Sequence, residues 1–440
     1  MESLIYTCNI AFSKLLGQCS CSVLSNYSSI ISKNEWRIKK SAQRYKKEYN
    51  KFMSLNNKCR LLQFIYWMIG GVGLGFITYY LQELGYASSV IGWISSGFAL
   101  LSVFLQPLLG RLSDTNEQFS WKNILIYSSV LLIMLFTILY FIDQKPWSGL
   151  LFGVVVLVLY CMMPFVNAAI FYYERIGEIV DFGSARGFGS LGYAVVSYIL
   201  GYLAASLHAK IVVLAGVCSS LLFLLFVLGL PCEKRIHIAQ DTEEVSKTNF
   251  IKKYPSLVIM IIGNIFLFSF HNLSNTFLIN ILENVGGDSS SLGVAIAIAA
   301  IVEIPILFMS TKLLKKYKAT HLMIFASVSF VMKGSIYLFA KTVLMIYFAQ
   351  ILQMFSYAVD VAVFAHICDE AVEQKDKMLG QAWNTTTISA GLVIGSLLGG
   401  MVLDYYGLNG MLNVGVLFCV IGVVFIVISS YMFQKEKRNV

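Results

Sequence analysis

The stretch Asp181-Phe182-Gly183-Ser184-Ala185-Arg186-Gly187-Phe188-Gly189-Ser190-Leu191-Gly192-Tyr193 opens an apolar run that continues to about residue 206. A helix needs roughly 20 such residues to cross a hydrocarbon core. One permanent cation, Arg186, stands inside it. An arginine at a bilayer centre costs about 2.5–3.5 kcal/mol on insertion scales, so it is expected to face a cavity, a solute or a counter-charge. Its place early in the run leaves a second reading open, in which it snorkels to the headgroups.

The rest of the chain has the same character. Of 440 residues, 57% are hydrophobic and 13% charged, and the mean hydropathy is +0.72, which excludes a soluble globular surface for most of it. Apolar runs of spanning length lie at about 60–82, 89–112, 122–142, 148–173, 180–206 and 210–230, then at 256–282, 290–313, 320–340, 342–366, 379–404 and 409–433. These predict an all-α membrane protein of twelve spans, six on each side of a polar gap.

Lysines and arginines collect in alternate loops. Arg111, Lys122, Arg175, Lys234, Arg235, Lys252, Lys315, Lys375 and Lys435 share one side, while the opposite loops carry Lys145, Lys210 and Lys341. The positive-inside rule therefore predicts a multi-pass protein of the cell membrane with both termini cytoplasmic. The formal net charge of +9 belongs to this asymmetry rather than to a nucleic-acid surface.

The expected organisation is an N-terminal extension at 1–56, a six-helix half at 57–230, a cytoplasmic linker at 231–255, a second six-helix half at 256–433 and a tail at 434–440. Residues 1–52 carry a basic stretch and are read as a disordered tail, as an extension from a start codon upstream of Met53, or as an interfacial helix drawn to anionic lipid. Glycines recur in the fifth span of each half, Gly183, Gly187, Gly189, Gly192 and Gly201 against Gly391, Gly395, Gly399 and Gly400. Such spacing lets helices approach closely, and paired halves place a solute site between them near the midplane. The nine cysteines are scattered and form neither a disulfide framework nor a zinc spacing.

The loop Gln106-Pro107-Leu108-Leu109-Gly110-Arg111-Leu112-Ser113-Asp114 resembles the Gly-x-Leu-x-Asp motif of the major facilitator superfamily. The basic cluster that usually closes the motif is absent. The resemblance implies that Gly110 and Asp114 act as a conformational latch while the halves rock. Asp181 to Arg186, with Gly189, Gly192 and Tyr193, resembles the fifth helix of the lactose permease branch, the oligosaccharide:proton symporters. There the matching arginine donates to sugar hydroxyls and an aromatic at the place of Tyr193 stacks on a sugar face, a role that suits a guanidinium with five fixed donors. The branch has a carboxylate on the fourth span; here Pro164-Phe165-Val166-Asn167 puts the amide of Asn167 in its place. Asn167 can accept from Arg186 but cannot neutralise it, which points to a different sugar or to a solute that supplies its own charge.

In the second half, Glu303-Ile304-Pro305 lies deep in the eighth span and Lys333 deep in the ninth. Antiparallel helices rising 1.5 Å per residue bring them within about one turn in depth, close enough to pair. The branch is similar here, with arginine at the place of Lys333. The tenth span departs from it: Gln350, Gln353 and Ser356 occupy the positions of the usual proton site, and His271 replaces one of two acids on the seventh. Glu303, Lys333, Asp360 and His271 are the remaining candidates for proton coupling, and Arg186, Asn167, Tyr193, Glu303, Gln350 and Gln353 for solute binding. Tyr79, Tyr80 and Gln82 are further lining candidates.

These readings predict a monomeric secondary transporter that moves a sugar or related hydroxylated solute by alternating access with proton symport. Its partners are the solute, protons and the lipid bilayer, with no cofactor, metal or nucleic acid. The alternatives are a nucleoside or drug transporter of the same fold, or a non-transporting membrane sensor, for which the central gap offers little room. No nucleophile–base pair or phosphate-binding glycine loop accompanies the charges, which argues against an enzyme.

Overall fold

The computed structural model describes residues 54–142, 144–175, 180, 182–231 and 250–436. Most of the expected N-terminal extension, most of the linker, the end of the tail, and Asp181 lie outside the described residues, as does the side chain of Asp114. Among the described residues every regular element is helical, as a bilayer requires of a chain that must satisfy its own backbone polar groups.

Ten of the described helices are long and apolar enough to cross a membrane, and the bent pair Leu55–Gly75 and Ile77–Glu83 makes an eleventh span. The 57-residue helical stretch Leu379–Lys435 is divided at Gly407, whose φ of 69° turns the chain back. That conformation favours glycine. The result is twelve spans among the described residues, as the apolar runs predict. The first is the bent pair; the second to sixth are Ser88–Thr115, Trp121–Phe141, Trp147–Arg175, Phe182–Ser206 and Lys210–Gly229. The seventh to ninth are Pro255–Thr276, Ser289–Lys316 and Ala319–Phe339. The tenth runs from Val343–Ile351 into Tyr357–Glu370, and the eleventh and twelfth flank Gly407. The near side, below, is the side on which the first span begins and the twelfth ends.

The two halves repeat one another in detail. The first span bends at Phe76 (φ −111°, ψ 8°), and the seventh breaks at Phe277 (φ −107°, ψ 26°) before the short helix Leu278–Glu283. Each break is followed, at the same interval, by a glycine with positive φ, Gly85 and Gly286.

On the far side the halves meet backbone to backbone. A Cβ on Gly92, one turn into the second span, would collide with the carbonyl oxygen of Ser396 on the eleventh; one on Gly293, one turn into the eighth, would collide with that of Ser197 on the fifth. Returning contacts complete both seams, Gly400 against Ser88 and Gly201 against Ser289, the latter at 2.7 Å. Side chains add to the closure. Asp404 accepts from the backbone N–H groups of Ser88 (3.0 Å) and Ser89 (2.6 Å), and Gln82 donates to Asn280 (2.9 Å). Toward the near side the contact between the fifth and eighth spans is made by a side chain, Phe308 over Gly187. A Cβ on Gly97 or Gly110 of the second span would meet nothing within 4 Å.

Candidate functional site

Small residues let the fifth span lie close to the first. A Cβ on Gly192 would strike the backbone of Phe64, and one on Gly189 the indole of Trp67. This places Trp67 beneath Arg186, whose guanidinium carbon lies 4.4 Å from the ring centroid. Tyr193 meets the same indole edge-on, with centroids 6.0 Å apart. The indole N–H donates to Gln63 (3.2 Å), and the Gln63 amide donates to Asn167 on the fourth span (2.8 Å). Arg186 itself makes one long hydrogen bond, to the Ser190 hydroxyl at 3.5 Å. Asn167 therefore does not pair with Arg186 as the sequence suggests. Gln63 uses the acceptor, and an indole face supplies the cation with partial negative potential in place of an acid.

The first span also changes its winding here. Gly71–Gly75 forms a π-helical turn, a device that recurs at functional sites. Gly75 lies beside the Tyr193 hydroxyl, 3.0 Å from where its Cβ would be.

The fifth span faces the eighth through Tyr193, Ala194, Ala297 and Ala300, which puts Glu303 within electrostatic reach of Arg186. Glu303 is half-buried and Lys333 fully buried. They do not pair directly. The tenth span tightens into a 3₁₀ turn at Leu352–Met354, and this turn inserts Gln353 between them: Lys333 donates to its Oε1, and its Nε2 donates to Glu303 at 3.0 Å. The expected depth match is present, and the third member of the chain is the residue that depth alone cannot supply. The Lys333 ammonium also lies 5.6 Å from the Tyr337 ring centroid.

Deeper groups are less engaged. Gln350 and Asp360 are fully buried, and neither side chain has a hydrogen-bond partner. His271 stacks flat on Tyr357, centroids 4.0 Å apart at 4°, and is bonded to Asn275 at 3.0 Å. Ser356 turns its hydroxyl back to the carbonyl of Leu352. Tyr79 and Tyr80 donate to backbone carbonyls of their own half, while Gln82 serves the far-side closure. A separate groove of about 470 Å³ on that side is lined by Tyr79, Glu83, His208 and Lys210 of the first half alone. Among the described residues no cluster of three His, Cys, Asp or Glu could hold a metal.

Trp67, Gln63 and Arg60 are the site residues that the sequence leaves unmarked. Arg60 donates to Ser184 (2.7 Å) and Asn57 (3.1 Å) and lies 5.5 Å from the Phe188 ring centroid, so it flanks Arg186 on the near side. An aromatic or amide in an apolar run carries no signal of its own. Arg60 follows Lys58 at the edge of the first run and reads as an interfacial charge.

Comparison with known proteins places this architecture. A stretch of 152 residues, 32% of the chain, is 29% identical to the raffinose permease of Escherichia coli and covers 35% of that protein, about a third of its length. The crystal structure of the nucleoside transporter NupG superposes with a TM-score of 0.71 at 16% identity, over 87% of this chain and 100% of that one. A bacterial homologue of the human lysosomal transporter Spinster, inward-facing and unoccupied, gives 0.65 at 14% identity over 86% and 96%. At such identities the structural likeness shows the fold alone. The family model described as the MFS_1 like family matches residues 58–414, most of the chain, and the protein belongs to that family of membrane transporters.

Proposed function

We propose that the protein carries a hydroxylated ring solute, a sugar, across the membrane by alternating access, coupled to protons. One observation carries this reading: Arg186, Trp67 and Tyr193 on one half stand opposite the Glu303–Gln353–Lys333 chain on the other. Aromatic faces suit the apolar faces of a sugar ring, while the guanidinium, amide and carboxylate suit its hydroxyls. The partial match to a raffinose permease supports the same class.

The state described is closed on the far side by backbone contacts between the halves, while a Cβ on Gly97 or Gly110 toward the near side would meet nothing within 4 Å. With the basic loops in the cytoplasm, this is the inward-facing state, which would receive the solute from, or release it to, the cytoplasm. Gly110 and Asp114 would then latch the near side when it closes. A chain of hydrogen bonds through Gln353 lets a solute that engages Glu303 alter the setting of Lys333. Asp360 is the candidate proton carrier, because a charged carboxylate buried without a partner costs several kcal/mol and a bound proton removes that cost. His271, held between Tyr357 and Asn275, is the weaker candidate.

A nucleoside is the second reading. The flat His271–Tyr357 stack and the Trp67 indole would suit a base, and NupG shares the fold.

Reconstitution in liposomes with an imposed pH gradient tests both. Labelled disaccharide should accumulate with the gradient, Arg186→Ala should lower uptake by about tenfold or more, and Asp360→Asn should uncouple accumulation while leaving exchange. Sugar uptake indifferent to Arg186→Ala would sink the site. Accumulation that ignores the gradient would sink the coupling, and uptake of nucleosides in preference to every sugar would establish the second reading.

A further inference from the structure

One charge of the proposed site has no carboxylate in contact with it. Arg186 is half-buried, and no carboxylate lies within ion-pair distance of it among the described residues. Its partners are one hydroxyl at 3.5 Å and one indole face. The fourth-span position that could have supplied an acid holds Asn167, whose oxygen is already used by Gln63. Arg60, which touches Ser184 and Phe188 on either side of Arg186 along the fifth span, has hydroxyl and amide partners and no acid among the described residues. Two guanidinium groups thus stand where the first and fifth spans meet, Arg186 the deeper and Arg60 the outer.

Across the cleft the balance is no more negative. Glu303 accepts from Gln353, and the same amide takes the Lys333 ammonium. Among the described residues the charges of this region are Arg60, Arg186 and Lys333 against Glu303 and the deeper Asp360, with the phenols of Tyr193 and Tyr357 nearby. A cation over an indole recovers only part of what burial takes from it. A neutral sugar would bring hydroxyl acceptors and leave the charge uncompensated. A carboxylate or phosphate would bring short, charge-assisted and often bidentate bonds to the guanidinium fork.

We propose that the natural solute carries one anionic group and seats it on Arg186, with Arg60 as an outer relay and Trp67 and Tyr193 against the ring. This rests on the reading of the cleft as the solute site and goes beyond it by naming the charge of the solute.

The test is binding to the purified full-length protein in nanodiscs, followed by quenching of tryptophan fluorescence, with matched pairs: glucose against glucuronate and glucose 6-phosphate, lactose against lactobionate, uridine against uridine monophosphate. In at least one pair the acid should bind about tenfold or more tightly than its neutral partner, and the carboxylate and phosphate arms tell which anion is meant. Arg186→Gln should abolish the preference, Arg186→Lys should retain part of it, and Arg60→Gln should slow association with a smaller loss. Thermal unfolding of each variant keeps a folding defect separate from a loss of recognition. Neutral sugars that bind as tightly as every acid would overturn the proposal and leave the sugar reading standing. Nucleotide binding without binding of any sugar would overturn the sugar reading and support the anionic site. A preference for acids that survives Arg186→Gln, or an absence of binding by every acid, also overturns it.

Discussion

Gln353 shows how much one amide can settle. It donates to Glu303 and accepts from Lys333, so a residue with no charge holds two charged ones apart and in contact with a single object. Removing it as Gln353→Leu leaves a buried ammonium and a half-buried carboxylate without their shared partner, at a cost of about 1–3 kcal/mol or more. The expected outcome is a lower unfolding temperature in detergent, with partial recovery when Lys333→Met is added; a double variant no better than the single would mean that the lysine is satisfied elsewhere. Charges in apolar runs were legible because each is expensive, which is why Arg186, Glu303, Lys333 and Asp360 could be marked from the sequence. Gln353 was legible only as a departure from a family pattern. Trp67 was not legible at all, since its role depends on which face of the first span meets Arg186.

At the level of elements, interruptions in helices do most of the positioning. The π turn at Gly71–Gly75, the breaks at Phe76 and Phe277 and the 3₁₀ turn at Leu352–Met354 lie inside runs whose apolar composition predicts unbroken helix. Composition reports burial and length, whereas a change of winding depends on neighbours, so these were hidden.

Helix starts differ between the halves in a related way. The eighth span is capped by its own Asp288, which accepts from the Ser291 N–H, whereas the second span begins after Ala87 and takes its cap from Asp404 of the other half. Losing a cap costs about 0.5–2 kcal/mol, so Asp404→Ala should shift the population toward far-side opening by about two- to thirtyfold. Spin labels placed across the far side would show this as a growing long-distance component, and an unchanged distance distribution would remove Asp404 from the closure.

On the near side, Lys253 binds Asp376 (2.7 Å) and Glu373 (2.9 Å), and Tyr254 donates to Asp376 (2.6 Å). The Asp376 hydrogen bond holds the Lys253 ammonium well above the usual lysine range. A lysine raised in the folded state contributes fully below its unfolded value near 10.4 and loses that contribution only as pH rises through the folded value. Hydrogen exchange in Phe250–Lys253 should therefore stay flat from about pH 6 to 9 once the intrinsic rate is removed, and Lys253→Met should raise it throughout. A step within that window would contradict the assignment.

The whole molecule was the most legible level. Twelve apolar runs, alternating basic loops and glycines in both fifth spans predict the spans and their grouping, because hydrocarbon thickness and backbone satisfaction leave few alternatives. The state of the cleft was not legible, since under the proposed alternating access the same sequence would support both openings. In a background stripped of native cysteines, Gly97→Cys and Gly110→Cys should react with a membrane-impermeant thiol reagent supplied to the near side, and Gly201→Ala should increase labelling from the far side by prising the seam. Equal labelling of Gly97→Cys from both sides before that change would contradict a closed far side.

The far-side seam is written in main-chain atoms: glycine Cα positions set against the carbonyl oxygens of Ser88, Ser197, Ser289 and Ser396. Such a joint makes few demands on side-chain identity. It is closer to a standard fitting than to a matched pair of surfaces, and a six-helix half from a distant member of the family should seat on this one if it keeps glycine at those crossings. Expressing the halves as separate genes and exchanging them would then be a practical way to trade one solute preference for another without rebuilding the machinery that opens and shuts.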